Sequence, residues 1–203
     1  MFRLPNAITI TRILLVPVFA VAFVLPGDGA RLIAFAVFCI AGLSDALDGM
    51  AARKFNAGSD FGRMLDPIAD KILVAVALMM LVAEGHVQQF NLEPNLQSLL
   101  RLVPALVILT REILVSGLRE FLAGARVSIP VTAIAKLKTT IQMIAIGALI
   151  LEPIAASHLP RVLGMSYSAA AYLGLWIAAG LTVGTGYVYF RAGLKHLRPG
   201  SSA

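Results

Sequence analysis

A single cysteine, Cys39, stands in an apolar run of this 203-residue chain. One cysteine excludes an internal disulfide framework, a CxxC redox pair and a thiolate zinc site. Histidine is almost as scarce, with only His86, His158 and His196. Charge is thin as well: 14% of residues are charged against 59% hydrophobic, and mean hydropathy is +0.85. That balance excludes an ordinary water-soluble globule. A hydrocarbon core of ~30 Å takes ~20 apolar residues to cross as a helix, so six crossings use up most of the chain and leave no separate soluble domain. What charge there is leans positive, with 17 Lys and Arg against 11 Asp and Glu and a formal net charge of +6. In a bilayer protein this surplus faces anionic headgroups and phosphorylated substrates rather than nucleic acid.

The apolar runs lie at about 7–25, 30–48, 64–83, 98–123, 131–151 and 168–190. Each is long enough to cross or nearly cross a membrane, so the expected fold is all-α, a single polytopic domain over 1–203 with six transmembrane helices. Pro26-Gly27-Asp28-Gly29, the stretch from Asn91 to Asn95 with Pro94, and Glu152-Pro153 through Pro160 read as breaks on one side. Only Arg31, Arg101 and Arg161 lie on that side, and the other fourteen Lys and Arg lie towards the opposite one. The positive-inside rule then places both termini in the cytoplasm, as expected for a bacterial inner (plasma) membrane protein. Ala20-Val21-Ala22 resembles a signal cleavage site, but its apolar run reaches Leu25 and carries Asn6, Thr9 and Arg12 near its front, which argues against cleavage.

Four of the eleven acids, Asp45, Asp48, Asp66 and Asp70, fall at the cytoplasmic ends of the second and third runs. Ionisable groups at membrane depth are costly and mark function by default. The first pair is spaced i, i+3 and the second i, i+4, so each shares one helical face, and a short turn lets the two faces converge. Four close carboxylates repel, and two divalent cations would cancel them. All-oxygen ligands suit Mg²⁺ or Mn²⁺, in the paired arrangement used for phosphoryl chemistry, and the three histidines fall elsewhere. Gly49 and Ala52 continue the first face as a groove poor in side chains, Arg53 supplies a fork for phosphate oxygens, and Gly62 relieves crowding one turn before Asp66. Packing of helices through small residues is the alternative reading of the glycines and the alanine.

The run Asp45-Ala-Leu-Asp48-Gly49-Met-Ala-Ala52-Arg53, followed after eight residues by Gly62 and then at four-residue steps by Asp66 and Asp70, matches every fixed position of D-x2-D-G-x2-A-R-x8-G-x3-D-x3-D. It resembles the signature of the CDP-alcohol phosphotransferases. The resemblance implies a six-helix membrane enzyme, usually a homodimer, that transfers a phosphatidyl or similar group from a CDP-linked donor to an alcohol and releases CMP. It implies that Asp45, Asp48 and Asp66 hold one metal, and that Asp45, Asp66 and Asp70 hold a second. Asp70 would also take the proton of the acceptor hydroxyl. Gly49, Ala52, Arg53, Ser59 and Gly62 look like donor-binding positions, and Thr9 and Arg12 look like neighbours of the nucleotide. In this picture the metals neutralise charge building on CMP, and the work is positioning and electrostatics.

The acceptor is sought outside the signature. Glu112, Ser116 and Arg119 are spaced i, i+4, i+7 on one face of the fourth run, with Arg111 ~12 Å deeper than Arg119, and Lys136 and Lys138 open the fifth. Cations facing the bundle interior suit an acceptor phosphate, while Glu112 or Ser116 could bond its hydroxyls. The alternative is a Glu112–Arg119 intrahelical pair with lysines that snorkel to headgroups. Together with the opening Pro5-Asn6-x2-Thr9-x2-Arg12, this stretch resembles the bacterial branch of the family that joins CDP-diacylglycerol to sn-glycerol 3-phosphate. A family member using phosphatidylglycerol is the nearest rival, and an ion-coupled transporter with buried acids is the rival from another class. A further reading, a structural membrane protein, draws on Gly180-Leu-Thr-Val-Gly184, a GxxxG able to pack helices.

Overall fold

The computed structural model describes residues 4–55, 60–87, 96–124 and 133–197. Six helices carry them: α1 Leu4–Val24, α2 Asp28–Phe55, α3 Asp60–Val87, α4 Leu96–Gly124, α5 Ala133–His158 and α6 Arg161–Leu197. Among the described residues there is no strand. Each expected apolar run falls on one helix. The segments Ile134–His158 and Arg161–Arg191 are long and apolar enough to cross a membrane, and Thr9–Val24 is a shorter apolar helix.

The turn between α1 and α2 is dictated by Pro26-Gly27. Gly27 has φ +98, which L side chains adopt only with strain, and its carbonyl accepts the N–H of Arg31 at 3.2 Å to open α2. Pro153 does not break α5, contrary to expectation. A proline removes one intrahelical hydrogen bond, but a helix supported on neighbours absorbs that loss, and α5 runs on to His158. The connection to α6 is then only Leu159 and Pro160, with Gly164 N–H bonding the Pro160 carbonyl at 3.0 Å, and α6 begins seven residues earlier than the apolar run. The expected break from Asn91 to Asn95 lies outside the described residues.

α5 packs most extensively on α6, α1 lies against α2 and α3, and α4 lies against α6 and α3. Phe19, Phe38, Leu78, Ile146, Leu149 and Leu175 are fully buried, with the Phe19 and Phe38 rings 6.0 Å apart. Small residues let helices approach closely. A Cβ on Gly147 would come within 3.1 Å of the Phe35 ring, and one on Gly42 would collide with the Met143 methyl. Among the described residues Gly180 and Gly184 meet nothing of this kind within 4 Å, so their GxxxG packs against none of the described helices. Leu14, Ile33, Ile40, Met79, Ile144 and Trp176 point outward and are exposed, as a lipid-facing surface requires.

At the end of the bundle where α1 meets α2, one buried polar network ties all six helices. Arg101 on α4 donates to Glu152 of α5 (2.9 Å), to Glu84 of α3 (3.3 Å) and to the Tyr172 hydroxyl of α6 (2.6 Å). Arg31 of α2 pairs with the other oxygen of Glu84 and donates to the Phe23 carbonyl of α1 at 3.4 Å. Ser168 of α6 completes Glu152 at 3.0 Å. Two guanidinium groups face two carboxylates, so the network is neutral, and its worth lies in full satisfaction. Removing one partner strands a charge, at a cost of about 3 kcal/mol or more. Arg101→Met is therefore expected to lower the thermal unfolding temperature in detergent by many degrees, while Arg161→Ala, at an exposed arginine, leaves it unchanged.

Candidate active site

Antiparallel alternation of the helices brings the start of α1, the end of α2, the start of α3, the end of α4, the start of α5 and the end of α6 to the opposite end of the bundle. The signature lies there. Asp45, Asp48, Gly49, Ala52 and Arg53 are on the last turns of α2, and Gly62, Asp66 and Asp70 on the first turns of α3. Both stretches are helical, so the i, i+3 and i, i+4 spacings do place each aspartate pair on one face, and α2 contacts α3. The side chains of these eight residues, and Ser59 altogether, lie outside the described residues. The donor set is carboxylate oxygen alone, which fits hard divalent cations in kind. Among the described residues no group of three or more His, Cys, Asp or Glu forms an alternative metal site. Thr9 and Arg12 sit at the same end, on the part of α1 nearest its start, and both are buried, Arg12 to 1% exposure.

Beside the signature lies a cavity of about 250 Å³, lined by Lys71, Arg111, Glu112, Val115, Ser116, Arg119, Glu120 and Ala123. Seven of these come from α4, where the i, i+4, i+7 face read from the sequence forms the wall. Lys71 comes from α3 and directly follows Asp70, so the cavity abuts the end of the signature. Four of the six acceptor candidates, Arg111, Glu112, Ser116 and Arg119, are thus brought together. The two lysines are placed otherwise. Lys138 is buried behind the wall and bonds Glu112, whereas Lys136 is exposed and off the cavity. Glu112 pairs with Lys138 and with Arg111 Nη1 (3.4 Å), and not with Arg119.

The electrostatic result follows from counting. Lys71, Arg111 and Arg119 face Glu112 and Glu120, and Lys138 cancels Glu112 from behind. Over its described lining residues the cavity carries three cations and two acids, and a phosphate entering it would meet forked and point-charge donors. On its lipid-facing flank Arg111 also borders an apolar groove of about 520 Å³ between α4 and α6, with Leu106, Leu114, Val183 and Phe190 among its walls. Sequence reasoning missed Lys71 and Glu120. A lysine adjoining the last signature acid was the available signal for the first, and a charge one residue beyond Arg119 for the second.

The chain matches the family model described as CDP-alcohol phosphatidyltransferase over residues 2–184. A relative from Rickettsia felis is 42% identical over 200 residues, covering 96% of this chain and 97% of its own length. One from Rickettsia prowazekii is 43% identical over 196 residues, covering 94% of each chain. One from Salmonella typhimurium is 39% identical over 154 residues, covering 75% of this chain and 79% of its own. All three are named CDP-diacylglycerol--glycerol-3-phosphate 3-phosphatidyltransferase. With the signature at the ends of two neighbouring helices and a match that spans most of its length, the chain belongs to the CDP-alcohol phosphatidyltransferase family.

Proposed function

We propose that the protein transfers the phosphatidyl group of CDP-diacylglycerol to the 1-hydroxyl of sn-glycerol 3-phosphate, giving phosphatidylglycerophosphate and CMP. The observation that carries the acceptor is the cationic cavity beside Asp70. Its volume of about 250 Å³ falls below the ~300 Å³ at which drug-sized pockets begin, which suits a small polyol phosphate. Five of its eight lining residues are ionisable, so a dianion is the matching guest. Relatives carrying this substrate pair in their names support the same choice.

In this reading Lys71, Arg111 and Arg119 hold the acceptor phosphate, and Ser116 and Glu112 bond its hydroxyls. Lys138 keeps Glu112 neutralised and in place. The donor nucleotide lies along Gly49, Ala52, Arg53, Ser59 and Gly62, with Thr9 and Arg12 beside it. Asp45, Asp48, Asp66 and Asp70 hold two divalent cations, Mg²⁺ or Mn²⁺, which when bound withdraw charge from the diphosphate. Asp70 takes the hydroxyl proton as the new O–P bond forms and the bond to CMP breaks. The six helices cross the bacterial inner membrane with both termini and the site on the cytoplasmic face, where the basic residues concentrate. The resemblance extends this to a homodimer.

The test is CMP release by purified protein with CDP-diacylglycerol, Mg²⁺ or Mn²⁺, and a panel of glycerol 3-phosphate, glycerol, inositol and phosphatidylglycerol. Release with glycerol 3-phosphate, abolished by excess EDTA, is expected. Release with phosphatidylglycerol alone would transfer the chain to the rival branch, and full activity in EDTA would overturn the metal assignment.

A further inference from the structure

Arg111 is held from a helix that carries none of the signature. Its Nη2 donates to Thr185 Oγ1 of α6 at 3.0 Å. The Thr185 hydroxyl itself donates back to the Leu181 carbonyl at 2.8 Å, with the Thr182 carbonyl at 3.2 Å. Its one hydrogen is committed to the backbone, so the oxygen can only accept from the guanidinium, and the bond has a fixed direction. The next residue, Gly186, provides the seat. A Cβ there would lie 3.0 Å from Arg111 Cγ and 3.6 Å from Nε, so even alanine pushes the arginine stem. One turn on, the buried Tyr189 ring lies 5.8 Å from Arg111 Cζ, within cation–π range. On the other side Glu112 takes Nη1 at 3.4 Å. The guanidinium is clamped between α6 and Glu112, while its Nε–H is buried without a hydrogen-bond partner. Buried donors are rarely left so, and here the Nη1 and Nη2 bonds are what hold the group.

We propose that Thr185 and Gly186 are positioning residues that fix the plane of the Arg111 guanidinium, making α6 a determinant of acceptor recognition. The proposal rests on the acceptor reading of the cavity given above. Holding a planar fork in register matters because bidentate recognition of phosphate is lost with small rotations.

The test is steady-state CMP release by Thr185→Val, Thr185→Ser and Gly186→Ala, each also placed in an Arg111→Ala background. Thr185→Val and Gly186→Ala are expected to raise KM for glycerol 3-phosphate about tenfold, the worth of one charge-assisted hydrogen bond, with kcat and KM for CDP-diacylglycerol within about twofold. Thr185→Ser keeps the acceptor oxygen and restores the parent KM. With Arg111 already removed, Thr185→Val adds nothing. An unchanged KM for glycerol 3-phosphate in both Thr185→Val and Gly186→Ala, alongside a raised KM in Arg111→Ala, overturns the clamp and leaves the acceptor reading standing. A KM that Arg111→Ala does not move overturns the acceptor reading itself. Thr185→Val acting equally with and without Arg111 marks a general packing role and also overturns the proposal. Unfolding temperatures in detergent identify any variant that has lost its fold, and Gly186→Ala and Thr185→Val test the clamp independently.

Discussion

Asp70→Asn is expected to lower turnover about a thousandfold while CDP-diacylglycerol still binds. Asparagine keeps the volume and one oxygen of aspartate but has no basicity at neutral pH. A positioned general base contributes typically ~10²–10⁴ in rate, so its loss appears in kcat rather than in ground-state affinity. The reading of Asp70 as the base draws on its place in sequence, one residue before Lys71, which lines the cavity. Asp45 and Asp48 lie on the neighbouring helix α2. The measurement is kcat for CMP release beside equilibrium binding of CDP-diacylglycerol. Lost donor binding with normal turnover per bound donor would move the base to another residue.

Arg111→Ala is expected to raise KM for glycerol 3-phosphate by about 10- to 100-fold, with a small effect on KM for CDP-diacylglycerol. Each hydrogen bond between charged partners is worth about 1.5–3 kcal/mol, and ~1.4 kcal/mol is a factor of ten. The variant should fold, because Glu112 keeps Lys138 as its partner when Arg111 is gone. Lys138→Ala would behave differently, leaving Glu112 to fold back on Arg111 and cancel the charge the acceptor needs. Arg111→Lys should recover only part of the loss, since a point charge cannot donate along the guanidinium's fixed directions. Titration of the acceptor at saturating CDP-diacylglycerol distinguishes these cases, and an unchanged KM would place the acceptor outside this cavity.

The six helices were legible because hydropathy reports the apolar middle of each one. Their ends were not. α2 continues to Phe55 and α3 starts at Asp60 through residues chosen for chemistry rather than for apolarity, and Pro153 sits inside a helix whose neighbours support it. The shared cavity wall was legible for the same reason that a helix is: Glu112, Ser116 and Arg119 repeat at helical spacing. What faces that wall could not be read, because Lys71 and Thr185 reach Arg111 and its cavity from α3 and α6, and no periodicity within one helix encodes contact with another. The same limit hid the Arg31–Glu84–Arg101–Glu152 network. Arg31 and Arg101 entered the sequence reading only as two charges on the sparsely basic side, yet each is buried against an acid more than ten residues away. Lys138 illustrates the converse, since a lysine four turns' reach from any acid in sequence turns out to neutralise one at 26 residues' separation.

That network has a consequence for how such a bundle can work. Ions matched in number and bound across six helices clasp the far end of the bundle, where Glu152 and Tyr172 also border a pocket of about 460 Å³. The clasped base confines yielding to the rim, where a donor with two long tails must arrive from the side and a lipid with a smaller headgroup must depart.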